Sequence, residues 1–257
     1  MNWKLFSRRK KNNAEDWNIR TMFGPNLSFA ATEAYKLLRT NILFSFPDEG
    51  EGKVIGISSS IQSEGKSSTA CNTAYALAEA GKSVLLLEAD LRRPTVASKL
   101  GLRKTPGLSN LLVTRSDYKE ALQQCPLCPA MHVITSGDIP PNPSELLSSN
   151  RMGKLVEQLK ADYDYIILDL PPITAVSDAL AVSKYVDGMI MVVRGGVSDQ
   201  KMLAESLRQL EMVDVRVLGF AYREINVGGK NYRCRYGSKY YSAYVKDYVD
   251  PSKNAQR

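Results

Sequence analysis

Residues 54–69, VIGISSSIQSEGKSST, have the types and order of a phosphate-binding loop. Apolar strand-type residues run into a polar loop that ends in Gly65, Lys66 and Ser67, and a helical pattern follows. Loop N–H groups and the positive end of a helix attract phosphates. We expect Lys66 to reach the β- and γ-phosphates of a nucleotide and the Ser67 hydroxyl to hold Mg²⁺. The predicted nucleotide-binding residues are Ser63, Glu64, Gly65, Lys66, Ser67 and Ser68.

Two other apolar runs end in carboxylates. Residues 83–87 lead into Glu88 and Asp90, and residues 165–168 lead into Asp169. Sheets of α/β proteins bind ligands at the carboxyl ends of their strands. The alternation of strand side chains sends Glu88 and Asp90 to the same side. Together with the loop, this pattern predicts Mg²⁺ ligands at Ser67, Asp90 and Asp169, some of them through water.

The remaining pattern predicts the elements that must position these residues. Helices are expected at about residues 28–44, 144–160 and 198–212, and strands at 132–135, 189–193 and 215–220. Residues 101–130 are expected to pack as short helices, and Asp178 is expected to cap a helix. The length allows one large α/β domain or two small ones.

The composition argues against a membrane-spanning, secreted or zinc-binding protein. No apolar run approaches the roughly 20 residues that cross a bilayer, and no signal-peptide core follows Met1, so we expect a cytoplasmic protein. Cys125 and Cys128 form a CxxC without a second pair, which argues against a zinc site. The only histidine, His132, argues against a histidine-based triad and is expected to pack near a strand.

Both ends of the chain differ from its body, and much of the net charge of +7 lies there. We expect a flexible basic segment at 1–25, a core domain at 26–225 and a flexible tail at 226–257. The first segment is compatible with contact to an anionic membrane surface or with a solvated terminus. The basic tail suits phosphorylation, stacking on single-stranded nucleic acid, or plain solvation. Its tyrosines are Tyr232, Tyr236, Tyr240, Tyr241, Tyr244 and Tyr248.

Taken together, these motifs resemble the bacterial tyrosine kinases of capsular and exopolysaccharide synthesis. The resemblance rests on SIQSEGKS as Walker A, LLLEADLRRP as Walker A′, IILDLPP as Walker B, SGDIPPNPSELL and the tyrosine-rich tail. It also includes a helical motif of Glu33, Lys36 and Arg39. Without the resemblance, that motif is equally well explained as a solvated helix face with local ion pairs.

The resemblance implies a P-loop NTPase sandwich, an α/β fold with a mostly parallel central sheet flanked by helices. It implies ATP- and Mg²⁺-dependent autophosphorylation of the tail tyrosines, in trans within a homo-oligomeric ring such as an octamer. Glu33, Lys36 and Arg39 would then make ring contacts. A transmembrane adaptor would recruit the kinase to the inner face of the membrane through a cytoplasmic segment, as in the stand-alone Gram-positive type. Other protein substrates are possible, and no nucleic-acid partner is expected.

The resemblance also implies which residues are catalytic, and the chain differs from the family's usual sequence at four positions. Lys66, Asp90 and Asp169 would be catalytic, and Glu88 or Asp90 would accept the tyrosine proton. The departures are Glu88 for the usual Asp, Lys36 for Arg, Leu170 for a small polar residue and Arg223 near the expected adenine site.

Two other functions remain open at this point. A Min/Par-type ATPase switch would share the fold, but its signature lysine is replaced by Ile61. A nucleotide-gated scaffold without enzymatic activity is compatible with the same motifs.

Overall fold

The computed structural model describes residues 23–47, 50–114 and 116–223. Its strands are β1 (Lys53–Ser59), β2 (Val84–Glu88), β3 (Gln123–Cys125), β4 (Cys128–Ile134), β5 (Tyr165–Asp169), β6 (Gly188–Arg194) and β7 (Val217–Arg223). Its α-helices are α1 (Phe29–Ser45), α2 (Lys66–Glu79), α3 (Val96–Leu100), α4 (Leu108–Thr114), α5 (Pro143–Ser148), α6 (Asn150–Asp162), α7 (Asp178–Ala181) and α8 (Gln200–Met212). Short 3₁₀ turns lie at Gly24–Asn26, Tyr118–Glu120 and Ser183–Tyr185.

These strands form one sheet in the order β3-β4-β2-β5-β1-β6-β7. All pairings are parallel except the antiparallel contact of β3 with β4. The central strands β2 and β5 are buried along their whole length, as expected when helices cover both faces of a parallel sheet. The predicted mostly parallel P-loop sandwich is therefore confirmed.

The core has one layer on each face of the sheet. On one face, α2 packs its alanine-rich side and Leu77 against alternating residues of the central strands, and Ile42 of α1 joins this layer. On the other face, α4, α6 and α8 contribute Leu112, Leu159 and Leu210. Because the central strands between these layers are parallel, their carboxyl ends meet along one edge of the sheet.

Two local predictions were wrong. The single helix expected at 144–160 is divided into α5 and α6, because Ser149 is extended and its side chain accepts from Met152 N to start the second helix. Residues 101–130 contain, besides short helices, the hairpin β3–β4, whose strand pairing reaches Cys125 and Cys128. The CxxC is therefore the end of a hairpin, and both of its cysteines are free thiols.

The other predicted elements are present with shifted ends. The strands expected at 189–193 and 215–220 are β6 and β7, and the helix expected at 28–44 is α1. His132 lies on β4, where its Nδ1 is 3.2 Å from the Tyr163 hydroxyl. No helix of the described part of the chain has the length and hydropathy needed to span a membrane.

Candidate active site

The loop between β1 and α2 has an unusual backbone that explains its sequence. Ser63 and Gly65 both have left-handed φ angles, of 65° and 96°. A Cβ on Gly65 would also overlap the guanidinium of Arg223. Glycine at position 65 is thus favoured by its left-handed φ angle, in addition to any close approach of a phosphate, and any larger residue would also displace the Arg223 guanidinium.

A pocket of about 310 Å³ opens beside this loop, at the carboxyl ends of the central strands. The predicted residues Ser63, Gly65, Lys66, Ser67 and Ser68 contribute to one side. The rest of the lining comes from Gln62, Asp90, Arg92, Arg93, Thr95, Lys99, Pro171, Pro172, Ala175 and Val176. Cationic and apolar residues thus share the wall of a site with room for phosphates and a small ring.

Lys66 and Asp90 form an ion pair in this pocket. Lys66 Nζ lies 2.9 Å from Asp90 Oδ2, and the two side chains are only 14% and 4% exposed. The other oxygen of Asp90 accepts from Arg93 N at 3.0 Å. The pair keeps the Walker A lysine neutralised, and an incoming phosphate can replace the carboxylate as its partner.

Asp169 is a fully buried carboxylate at the end of β5. Within the described residues, neither of its oxygens has a partner in hydrogen-bonding geometry. Burial raises its pKa to about 7, and the Lys66 ammonium and the Ser67 hydroxyl partly oppose that rise. Buried carboxylates are normally paired or bind a metal. Together with Ser67 and Asp90, Asp169 offers the oxygen ligands that Mg²⁺ prefers, so the residues present fit this ion.

Glu88 is also fully buried, but its carboxylate is fully used by the backbone. One oxygen accepts from Thr95 N at 2.5 Å and Val96 N at 2.6 Å, and the other accepts from Ser136 N at 3.0 Å. Burial raises the pKa of Glu88, and these three N–H groups partly oppose the rise. Glu88 does not line the pocket, so only Asp90 of the two predicted proton acceptors faces it.

Glu64 belongs to the loop, but its side chain does not line the pocket. It is fully buried on the far side of the loop, where it accepts from Ile61 N at 2.8 Å and from the Ser198 hydroxyl. Of the predicted nucleotide-binding residues, Glu64 is thus the one whose side chain points elsewhere, and it can offer a nucleotide only its backbone.

An ion pair that sequence reasoning missed holds Arg92, one of the residues that line the pocket. Arg92 donates from Nε to Asp178 Oδ2 at 2.7 Å and from Nη2 to Asp178 Oδ1 at 3.0 Å, and Ser144 also donates to this carboxylate. Asp178 begins α7 but makes no side-chain capping bond, contrary to the expectation. The two partners lie 86 residues apart, so no local pattern signals their contact.

Two departures from the resembled family occupy different environments. Leu170 is fully buried in the core, where it contacts neither water nor the pocket. Arg223 ends β7 and donates from Nη1 to Gly65 O at 3.3 Å. Arg223 therefore contacts the loop, but it does not line the pocket.

The α1 motif makes contacts within its own chain. Lys36 Nζ lies 2.9 Å from Glu33 Oε1, and Arg39 donates to Ala76 O of α2 at 3.1 Å. The Glu33 carboxylate raises the pKa of Lys36. The Lys36–Glu33 contact is a local ion pair of the simpler interpretation, whereas Arg39 bonds to the backbone of α2. Ring contacts of this motif stay a prediction. The six tail tyrosines and the basic N-terminal cluster lie outside the described residues.

The chain matches a family model and a protein of known name. A family model described as an AAA domain matches residues 52–207. The chain is 40% identical over 188 residues to the tyrosine-protein kinase YwqD of Bacillus subtilis, covering 73% of this chain and 78% of that protein.

Solved structures agree with the sequence relatives. The kinase domain of the Escherichia coli tyrosine kinase ETK superposes with a TM-score of 0.75 at 30% identity, covering 85% of this chain and 84% of that chain. A cobyrinic acid a,c-diamide synthase from Mycobacterium smegmatis, with bound ATP analogue and magnesium, matches at a TM-score of 0.59 and 17% identity over 66% and 72% of the two chains. The second match concerns the fold alone.

Proposed function

The chain belongs to the AAA-domain family and, within it, to the bacterial tyrosine-protein kinases, and we propose that it transfers the γ-phosphoryl group of ATP to tyrosines of its own tail. The proposed acceptors are Tyr232, Tyr236, Tyr240, Tyr241, Tyr244 and Tyr248. The observation that carries the nucleotide site is the carboxylate of Asp169, which is buried beside the phosphate-binding loop and has no hydrogen bond in good geometry among the described residues. The clustered tail tyrosines support the choice of acceptor.

In the proposed reaction, Lys66 exchanges one anionic partner for another. Its ammonium leaves Asp90, 2.9 Å away, and neutralises the β- and γ-phosphates together with the loop N–H groups. Mg²⁺, held by Ser67, Asp90 and Asp169, would neutralise further phosphate charge. Phosphoryl transfer needs mainly positioning and charge neutralisation, and these are the properties that the pocket supplies.

Asp90 is proposed as the group that receives the tyrosine proton. Once Lys66 has moved to the phosphates, Asp90 Oδ2 loses its ammonium partner and faces the pocket, while Oδ1 stays bonded to Arg93 N. If Asp90 contacts Mg²⁺ through water, Oδ2 can also accept the tyrosine proton. Glu88 was the other candidate, but three backbone N–H groups occupy it. Pro171, Pro172 and Val176 line the same pocket and offer apolar contacts to a tyrosine ring.

Transfer between neighbouring chains is part of the proposal. A tethered tail presents its tyrosines at roughly millimolar effective concentration when the linker is short, which replaces a dedicated peptide groove. α1 is the proposed contact between subunits. Besides Glu33, it exposes Leu37 (63%) and Phe44 (80%), which lie on the same side of the helix. A transmembrane adaptor, recruitment to the membrane and a role in capsule or exopolysaccharide synthesis complete the proposal, by similarity to the family.

A mixing experiment tests transfer in trans. The purified chain is incubated with ATP and Mg²⁺, with and without an adaptor segment, and phosphotyrosines are mapped by mass spectrometry. Lys66→Met should abolish labelling, while Lys104→Met, at an exposed lysine outside the pocket, should not.

A chain cut after Gly229 should bind nucleotide but lose most label. Mixing that truncated chain with full-length Lys66→Met should restore labelling on the inactive partner. An unlabelled mixture would contradict transfer in trans to the tail.

A further inference from the structure

A buried carboxylate inside a phosphate-binding loop needs an explanation, because its charge opposes the phosphates that the loop binds. Glu64 is fully buried and makes no salt bridge among the described residues. It instead enters a chain of hydrogen bonds that leads away from the pocket. An uncompensated carboxylate at this depth would be expelled, so these bonds hold Glu64 in place.

The chain of hydrogen bonds joins the loop to the turn between β6 and α8. Glu64 Oε2 accepts from Ile61 N at 2.8 Å, across the loop, and Oε1 accepts from the Ser198 hydroxyl. The Ser198 oxygen in turn accepts from Arg194 N at 2.7 Å. The Ser198 oxygen accepts one hydrogen bond, from Arg194 N, and its hydroxyl proton is donated to Glu64 Oε1.

Arg194 also contacts the strained part of the loop directly. Its Nη1 donates to Ser63 O at 2.6 Å, and Ser63 is one of only two described non-glycine residues with positive φ. Such a conformation persists only where surrounding contacts determine it. The bond from Arg194 and the burial of the adjacent Glu64 both fix the left-handed turn at Ser63.

We propose that Glu64, Ser198 and Arg194, the loop brace, are positioning residues that hold the Walker A loop in its phosphate-binding shape before ATP arrives. They act from outside the pocket: none of the three residues lines it, and the Arg194 side chain bonds to the loop at the Ser63 carbonyl. The brace binds that carbonyl and keeps the carboxylate of Glu64 out of the pocket lining. The inference rests on the proposed use of this loop for ATP.

The loop brace should act on nucleotide affinity more than on turnover. Without the loop brace, only a fraction of the molecules would have the loop in its phosphate-binding shape. The apparent dissociation constant for ATP would then equal the intrinsic constant divided by that fraction. Once ATP is bound, Lys66, Asp90 and Asp169 have the same surroundings as before. Hydrogen bonds to charged groups have strengths that correspond to about a tenfold change in affinity each.

Calorimetric titration with ATP and with ADP, which needs no tyrosine transfer, tests this directly. Ser198→Ala and Arg194→Gln should each weaken binding about tenfold, and Glu64→Ala should weaken it more. Glu64→Gln should recover most of the loss, because its carbonyl can accept from Ile61 N while its amide donates to Ser198. The matched controls are Ser206→Ala, which removes another hydroxyl of the α8 region, and Arg208→Gln, at an exposed arginine of α8.

Kinetic parameters separate positioning from a general structural role. KM for ATP should rise about tenfold in Ser198→Ala, with a much smaller change in kcat, at temperatures where thermal unfolding shows a folded protein. Wild-type affinity in Ser198→Ala and Arg194→Gln would overturn the proposal, as would failure of Glu64→Gln to bind better than Glu64→Ala. If Glu64→Ala does not fold, the serine and arginine variants decide. Normal ATP binding without phosphotyrosine would count against the proposed function instead.

Discussion

The neighbouring strands β2 and β5 each end in a carboxylate, and the two carboxylates differ in their hydrogen bonds. Glu88 pairs with Asp169 across the two strands, both side chains are fully buried, and burial raises the pKa of both. Glu88 accepts three backbone hydrogen bonds. Asp169, within the described chain, accepts none in good geometry.

The difference separates a structural role from a binding role. The bonds of Glu88 hold the start of α3 and the segment after β4, so its carboxylate stabilises the loops that frame the pocket. Among the residues that the structure describes, Asp169 has no such backbone partners, and an unsatisfied buried charge lowers stability. A fold retains such a group where a ligand completes it, and Mg²⁺ is the ligand that its surroundings fit. Substitutions at the two positions should therefore shift stability in opposite directions, and only the one at Asp169 should lower activity in the folded protein.

The largest expected effect is the loss of activity in Asp169→Asn. Removing this ligand should lower phosphotyrosine formation by at least about a hundredfold, as for other single electrostatic groups at active sites. Without Mg²⁺, the same variant should be more stable than the wild type by about 1–3 kcal/mol, because it no longer buries an unpaired charge. Kinase assays and urea unfolding measure the two quantities. Asp214→Asn, at an exposed position that asparagine tolerates, is the control. If Asp169→Asn keeps wild-type activity, or is less stable than the wild type without Mg²⁺, the proposed difference between Asp169 and Glu88 is wrong.

The second prediction compares Asp90 with Glu88 as proton acceptor. Asp90→Asn should reduce kcat about a hundredfold or more, because general-base catalysis typically contributes that factor. The measurement is the single-turnover rate of phosphotyrosine formation at saturating ATP. Near-normal rates in Asp90→Asn would show that another group receives the proton and would return Glu88 to consideration.

The third prediction concerns the structural role of Glu88. Glu88→Ala leaves the N–H groups of Thr95, Val96 and Ser136 without their acceptor and should lower the free energy of unfolding by about 2–4 kcal/mol. Glu88→Asp, one methylene shorter, should cost about half as much. Activity should decline with the folded fraction, as seen by comparing assays at low and high temperature. Loss of activity without loss of stability would indicate a chemical role instead.

The smallest effect is a difference in pH dependence. In EDTA, Asp169 has a pKa of about 7 when folded and an ordinary value near 3.8 when unfolded. Between these values the folded chain keeps a proton that the unfolded chain has released, so stability falls as pH rises. From pH 5.5 to 8, the wild type should lose about 2 kcal/mol more than Asp169→Asn. Parallel pH profiles of the two proteins would show that Asp169 is not desolvated as described.

Much of the fold and the site followed from local sequence. The apolar runs before Glu88 and Asp169, and the order of strand, loop, Gly65-Lys66-Ser67 and helix, each lie within a few neighbouring residues. Periodicity and loop chemistry act over that range, so they predict a parallel α/β sheet with a phosphate-binding edge. The division of α5 from α6 at Ser149 and the β3–β4 hairpin were missed, because an apolar pattern alone does not show where a helix restarts or a strand returns.

Tertiary structure alone decided what the individual polar groups do. The sequence presents Glu88 and Asp169 alike, as acids that end apolar strands, and only the approach of residues 95, 96 and 136 gives one of them its partners. Likewise, Glu64 belongs to the loop in sequence but bonds to Ser198, 134 residues away. The physical reason is that hydrogen-bond satisfaction depends on which groups meet in space, and contacts between distant segments leave no periodic signal in the chain.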